Sequence, residues 1–192
     1  MKLVVGLGNP GLAYRKTRHN LGFAVADALL KYFKAKFRSD SQSKCLKARL
    51  VFKGVCFLIC KPSTYMNLSG ESVARLVRAN NLSLQDILVL CDDASLELGR
   101  IRIRAKGSSG GHKGLASIIK SLNSQEFPRM RIGIASCNDK KGLSEYVLSR
   151  FSSSEQKIIT GFMRLAQEAV LHWLENGTEN AMNRFNFLRN NA

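Results

Sequence analysis

The chain has 192 residues, 45% of them hydrophobic, enough to bury one sizeable core in a single α/β domain spanning 1–192. Its formal charge of +16, from 30 Lys and Arg against 14 Asp and Glu, exceeds what solubility requires and points to nucleic acid as the partner. No run approaches membrane-spanning length, residues 3–5 are too short a run for a signal peptide, and no Lys-rich amphipathic helix or lipidation motif favours a membrane surface.

The first element is a buried strand over 2–6, followed by a glycine-rich turn. Asn20 or Thr17 can then cap a helix whose apolar residues Leu21, Ala24, Val25, Ala28 and Leu29 recur at helical spacing. Leu46, Ala48, Leu50 and Phe52 alternate with polar residues, and Lys53-Gly54 turns the chain into a second strand over 55–60, so this pair reads as a hairpin. A helix through Val73, Leu76 and Val77 stops near Asn80-Asn81. Residues 87–91 form an apolar strand that ends in Asp92-Asp93, and residues 100–104 alternate Arg with Ile as a half-exposed strand does.

A glycine-rich turn leads into a helix over 115–122, and residues 129–134 form another strand with alternating Arg. The last quarter is helical, with one apolar stripe from Ile158 to Trp173; Gly177 is placed to end that helix and Thr178 to cap a short final one. On this reading His172 and Trp173 are packing and helix-terminal residues. A hairpin combined with βα units predicts a twisted mixed β-sheet flanked by helices.

The positive charge is concentrated between Leu98 and Gly142, where Arg100, Arg102, Arg104, Lys106, Lys113, Lys120, Arg129, Arg131, Lys140 and Lys141 are opposed only by Glu126 and Asp139. Five cysteines without a C-x-x-C pair, and three scattered histidines, make no zinc ligand set and suit a reducing cytoplasm. Cys56 and Cys60, two strand periods apart, should face the core.

Three local patterns suggest other chemistry. Gly6-Leu7-Gly8-Asn9-Pro10-Gly11 matches the dinucleotide fingerprint literally, but Pro10 removes a donor and residues 13–18 are a polar loop where a helix should begin. Gly107-Ser108-Ser109-Gly110-Gly111 fits a nucleophile elbow but follows a half-charged strand, and Gly after Lys113 spoils a P-loop. Cys91 ends an apolar strand with no neighbouring cation, as a packed thiol does. Without a convincing Ser or Cys, water is the nucleophile, and His19 with Asp92, both at or just beyond strand ends, forms a general-base pair.

Val5-Gly6-Leu7-Gly8-Asn9-Pro10-Gly11, Tyr14 with Thr17-Arg18-His19-Asn20, the stretch Lys61-Pro62-Ser63-Thr64-Tyr65-Met66-Asn67-Leu68-Ser69-Gly70, Asp92-Asp93, and Gly110-Gly111-His112 through Gly114 together resemble the bacterial-type peptidyl-tRNA hydrolases. The resemblance implies a monomeric, cofactor-free α/β esterase that cuts the bond between a nascent peptide and the tRNA ribose and so recycles tRNA. It implies His19 as the base that activates water, Asp92 as its partner, Asn67 beside the scissile ester, and Asn9 as the residue that separates peptidyl-tRNA from aminoacyl-tRNA. Tyr14 and Tyr65 match positions that contact the tRNA end, and Arg104, Arg131 and Lys140 positions that hold phosphates. The chain departs from the pattern at Lys113, where the family usually has Asn, and also at Ser95 and Cys91. The other reading of the same fold is an RNA-binding protein without chemistry, for which Lys113 is the best support.

Overall fold

A computed structural model describes residues 1–135 and 142–187. Its centre is a seven-stranded mixed sheet in the order β2-β3-β4-β1-β5-β7-β6. The strands are β1 (Lys2–Gly6), β2 (Arg38–Asp40), β3 (Cys45–Phe52), β4 (Val55–Pro62), β5 (Ile87–Glu97), β6 (Ile101–Arg104) and β7 (Arg129–Ala135). β1 runs parallel to β4 and β5, and β5 parallel to β7, while β2, β3 and β6 pair antiparallel with their neighbours.

Period-two alternation sends side chains of the central strands to opposite faces. Val4, Leu88 and Leu90 meet α1 (Leu21–Tyr32) and the apolar stripe of α5 (Ser153–Phe185) on one face. Leu3, Val5, Ile87 and Val89 meet α2 (Ser69–Ala79) and α3 (Lys113–Leu122) on the other. Phe162 and Trp173 are fully buried in the first layer, where burying a side chain of that size contributes about 2–3 kcal/mol.

The expected break in the last helix is present: Gly177 sits at φ 78°, ψ −176°, a conformation that disfavours a side chain. The carbonyls of Trp173 and Leu174, freed by that break, accept hydrogen bonds from the Lys2 ammonium, and the Trp173 indole donates to Thr178 Oγ1 at 3.0 Å. Beyond the break, Asn186 pairs with both the N–H and the carbonyl of Ile103 (2.7 and 3.1 Å), which satisfies backbone on the exposed edge of β6.

Several expectations need correction. Asn20 occupies the N-cap position of α1, but its amide does not cap the helix, and neither does Thr17; Asn20 instead clamps the backbone of Asn9. Cys60 is buried as expected, whereas Cys56 is half-buried near the hairpin turn. Arg129 is not part of a solvated basic face. It is buried and donates to the carbonyls of Gly107, Ser108, Gln125 and Phe127, so it fastens the glycine-rich turn before α3. The short strand β2 and the short helix α4 (Leu143–Leu148) were not foreseen.

Candidate active site

The carboxyl ends of β1, β4 and β5 and the start of α3 converge on one crevice, the usual place for chemistry in an open α/β sheet. Their spacing is set by main chain. A Cβ on Gly22, in the first turn of α1, would lie 2.3 Å from the Leu90 carbonyl oxygen and 2.6 Å from the Leu7 amide nitrogen. The helix start can therefore press directly onto the β1 and β5 ends, which brings His19, in the 3-10 turn Arg18–Asn20, over Asp92. Arg18 anchors that turn from the other side. Its guanidinium bonds Glu155 at 2.9 Å and Ser149 at 3.2 Å and lies against the rings of Tyr146 and Phe151.

His19 Nδ1 is 2.8 and 2.9 Å from the two Asp92 carboxylate oxygens, and both side chains are buried. This leaves His19 Nε2 as the nitrogen available to a reacting water. A second histidine, absent from the sequence-derived set, touches the same carboxylate: His112 Nε2 lies 3.1 Å from Asp92 Oδ1. Its Nδ1 accepts from the backbone N–H groups of Gly114 and Leu115, so His112 is the N-cap of α3. With Nδ1 accepting, the ring proton must be on Nε2 and is donated to Asp92.

Burial alone would raise the Asp92 carboxyl, but the hydrogen bonds from His112 and His19 outweigh it and hold the group at about 2. The ligand atoms of His19, Asp92 and His112 lie within 4.8 Å of one another, the spacing of a metal site. The hydrogen bonding does not fit one. A cation on His112 Nε2 would need the proton moved to Nδ1, against the two N–H groups that nitrogen already accepts. The cluster is arranged to share protons around one carboxylate.

Asn9, at the end of the β1 loop, is buried and held three ways. Its N–H donates to Asn20 Oδ1 at 2.8 Å, its carbonyl accepts from Asn20 Nδ2 at 2.9 Å, and its Oδ1 accepts from the Met66 N–H at 2.8 Å. Since Oδ1 is committed to Met66, the end of the side chain that remains for the crevice is the NH₂ group. Asn67 follows Met66 in the 3-10 turn Met66–Leu68, with its side chain exposed to the same space.

The crevice encloses about 820 Å³, and its lining brings together Asn9, His19, Tyr65, Asn67, Asp92, Lys113 and Arg131. Leu143, Val147 and Leu148 of α4 give it an apolar wall. Tyr14 is not in the lining but packs edge-on against Tyr65, with ring centroids 6.4 Å apart at the rim. Arg131 is in the wall, ion-paired with Asp93 and 3.3 Å from Ser95 Oγ. Arg104 is exposed outside the lining; it stands opposite Arg129, on the face of β6 and β7 that Arg131 shares. Lys113 is exposed in the first turn of α3, and Lys140 lies outside the described residues.

The competing readings are settled by the same geometry. The glycine loop after β1 leads into the 3-10 turn Leu12–Tyr14, and no α-helix begins before Leu21, so no helix N-terminus meets a pyrophosphate there. Burial pushes the Cys91 thiol well above its ordinary range, and the group is closed off against Met130. Ser109 reaches the crevice, but among the described residues its hydroxyl is hydrogen-bonded to neither His19 nor His112, whose bonds run to Asp92 and, for His112, to the α3 backbone.

The peptidyl-tRNA hydrolase family model matches residues 3–192. A peptidyl-tRNA hydrolase of Caldanaerobacter subterraneus subsp. tengcongensis is 48% identical over 186 residues, covering 97% of this chain and 100% of the relative. One of Aquifex aeolicus is 46% identical over 95% of this chain and 94% of the relative. Among solved structures, the peptidyl-tRNA hydrolase of Acinetobacter baumannii superposes with a TM-score of 0.91 at 32% identity, covering 98% of this chain and 96% of that one. A peptidyl-tRNA hydrolase complexed with N-propanol gives 0.92 at 32% identity, covering 99% and 96%. Sequence and fold agree from one end of the chain to the other, and the chain belongs to the peptidyl-tRNA hydrolase family.

Proposed function

We propose that this chain hydrolyses the ester joining a nascent peptide to the tRNA ribose, with His19 as general base. The observation that carries the reading is the His19–Asp92 pair at 2.8 Å, with its second ring nitrogen facing the crevice. Nε2 takes a proton from water as the oxygen attacks the ester carbonyl. Asp92, ionised and held in place by His112, stabilises the imidazolium so formed. The Asn67 amide donates to the developing oxyanion. When the tetrahedral intermediate collapses, the C–O bond to the ribose breaks and the imidazolium returns its proton to the leaving hydroxyl. A free peptide carboxyl and a free tRNA 3′ end result.

Asn9 reads the substrate's amino group. Its NH₂ can donate to the carbonyl oxygen of an acylated amine, whereas a free ammonium, itself only a donor, gains nothing from it. Tyr65, more than half exposed, and Tyr14 beside it offer faces on which the unpaired bases of the tRNA end stack. Arg104, Arg131 and Lys140 are the phosphate contacts, so the acceptor stem leaves over the β6/β7 edge. Lys113 substitutes a phosphate or carbonyl contact for the family's amide, and the α4 wall receives the peptide. The cysteines free among the described residues suit the cytoplasm, and tRNA recycling after premature release is the role.

The test is single-turnover hydrolysis of an N-acetyl-aminoacyl-tRNA by His19→Ala. The rate should fall by roughly 10²–10⁴-fold while tRNA binding stays near the wild-type value. Activity within a few fold of wild type would remove His19 from the mechanism.

A further inference from the structure

A second concavity lies at the other edge of the sheet, far from the crevice. It encloses about 620 Å³, and Lys36, Arg38, Lys47 and Arg49 line it. Arg38 on β2 stands directly opposite Lys47 on β3, and Arg49 follows two residues along, so these three side chains share one face of the sheet. Only Lys47 has an acidic partner, Asp40 at 2.5 Å; among the described residues Lys36, Arg38 and Arg49 have none. Four cations thus line a hollow with no carboxylate in its lining, and the Asp40 ion pair offsets one of them. Like charges collected in a cleft repel one another and focus a positive potential into it, an arrangement relieved by a bound polyanion.

We propose that this edge is a second RNA-binding surface, which takes the backbone phosphates of an RNA strand other than the acceptor stem of the bound substrate. Two features favour RNA over a single small anion. The hollow has room for several groups, and its lining includes Leu58 and Asn80, whose carboxamide keeps its oxygen and one N–H beyond the bond it gives to the Leu76 carbonyl for a ribose hydroxyl or a base edge. The word "second" rests on the substrate path given above. β2 and β6 are the two outermost strands of seven, about 29 Å apart at ~4.8 Å per strand, so a stem that leaves over Arg104 runs away from Arg38.

The test compares Lys36→Ala/Arg38→Ala/Arg49→Ala with wild type, and repeats the comparison in an Arg104→Ala/Arg131→Ala background. Binding of a labelled oligouridylate without a CCA end is measured by anisotropy across a salt series, together with hydrolysis of N-acetyl-aminoacyl-tRNA. The triple variant should bind the oligonucleotide more weakly in both backgrounds, with a log–log salt slope shallower by about two, at ~0.7 per lost phosphate contact on a single strand. Its hydrolysis rate should stay within about twofold of wild type. An unchanged slope would overturn the proposal, as would displacement of the oligonucleotide by inorganic phosphate at constant ionic strength. A parallel loss of hydrolysis would also overturn it, by placing these cations on the substrate's own path. If instead the Arg104→Ala/Arg131→Ala background hydrolyses N-acetyl-aminoacyl-tRNA with the wild-type KM, the phosphate-clamp assignment fails while the result at the β2 edge stands.

Discussion

Replacing Asn9 by Asp isolates what its NH₂ group does. The carboxylate keeps an oxygen for the Met66 N–H, and the two backbone bonds to Asn20 do not involve the side chain, so the loop should stay in place. What changes is the atom facing the crevice, from a donor to a charged acceptor. Against an N-acylated substrate the variant loses a hydrogen bond and sets two acceptors against each other. A loss of about 1.5–3 kcal/mol corresponds to roughly a 10- to 150-fold fall in kcat/KM. Against an aminoacyl-tRNA, whose free ammonium is a donor, the same carboxylate gains a charge-assisted bond of similar size. The ratio of the two rates should therefore move by roughly 10² or more in favour of the free amine. The assay is hydrolysis of one aminoacyl-tRNA before and after N-acetylation, by wild type and variant. An equal fall on both substrates would refute the reasoning and reduce Asn9 to a support for its loop.

His112→Asn retains a good N-cap for α3 but is too short to reach Asp92, so the melting temperature should hold while kcat drops about tenfold at unchanged KM; a fall in both stability and KM would make His112 only a cap. Lys113→Asn should be active and Lys113→Ala clearly impaired in hydrolysis assays, and equality of Lys113→Ala with wild type would make the side chain a bystander. The Asp92 carboxyl sits at about 2 in the fold against 3.8 ordinarily, so its ionised form stabilises the protein by about 2 kcal/mol above pH ~4, a contribution lost as pH falls through about 2. Urea unfolding should accordingly show Asp92→Asn less stable than wild type at neutral pH, with the gap closing between pH ~4 and ~2; a gap that stays constant over that window would contradict the assignment.

The strands and helices that carry strong periodicity, and the motif residues at their ends, could be read before any coordinates. Asp92, Asn9 and Asn67 meet in one crevice because each lies at or just beyond the end of a buried strand, and His19 joins them from the turn that opens α1. What escaped was set by partners distant in sequence. His112 does its work through a carboxylate twenty positions earlier, and histidine is not among the residues that usually signal a helix cap. Arg129 reads as solvated because charged side chains seldom lie inside, yet four loop carbonyls compensate its burial. β5 continues to Glu97 past the Asp92-Asp93 pair, which ends the continuous apolar run, and β2 and α4 are too short to show periodicity.

Arg18 and Glu155, whose ion pair steadies the turn that carries His19, are 137 positions apart, and His19 and Asp92 are 73 apart. During its own synthesis this polypeptide is esterified to a tRNA and is chemically a member of the substrate class proposed for it. An emerging chain that has not yet reached residue 92 has no carboxylate for His19, and one short of residue 155 lacks the acidic half of the ion pair that steadies the turn. The site can close only when residue 155 has left the ribosome. The order in which the polypeptide is made therefore delays assembly of the site until both distant partners have emerged.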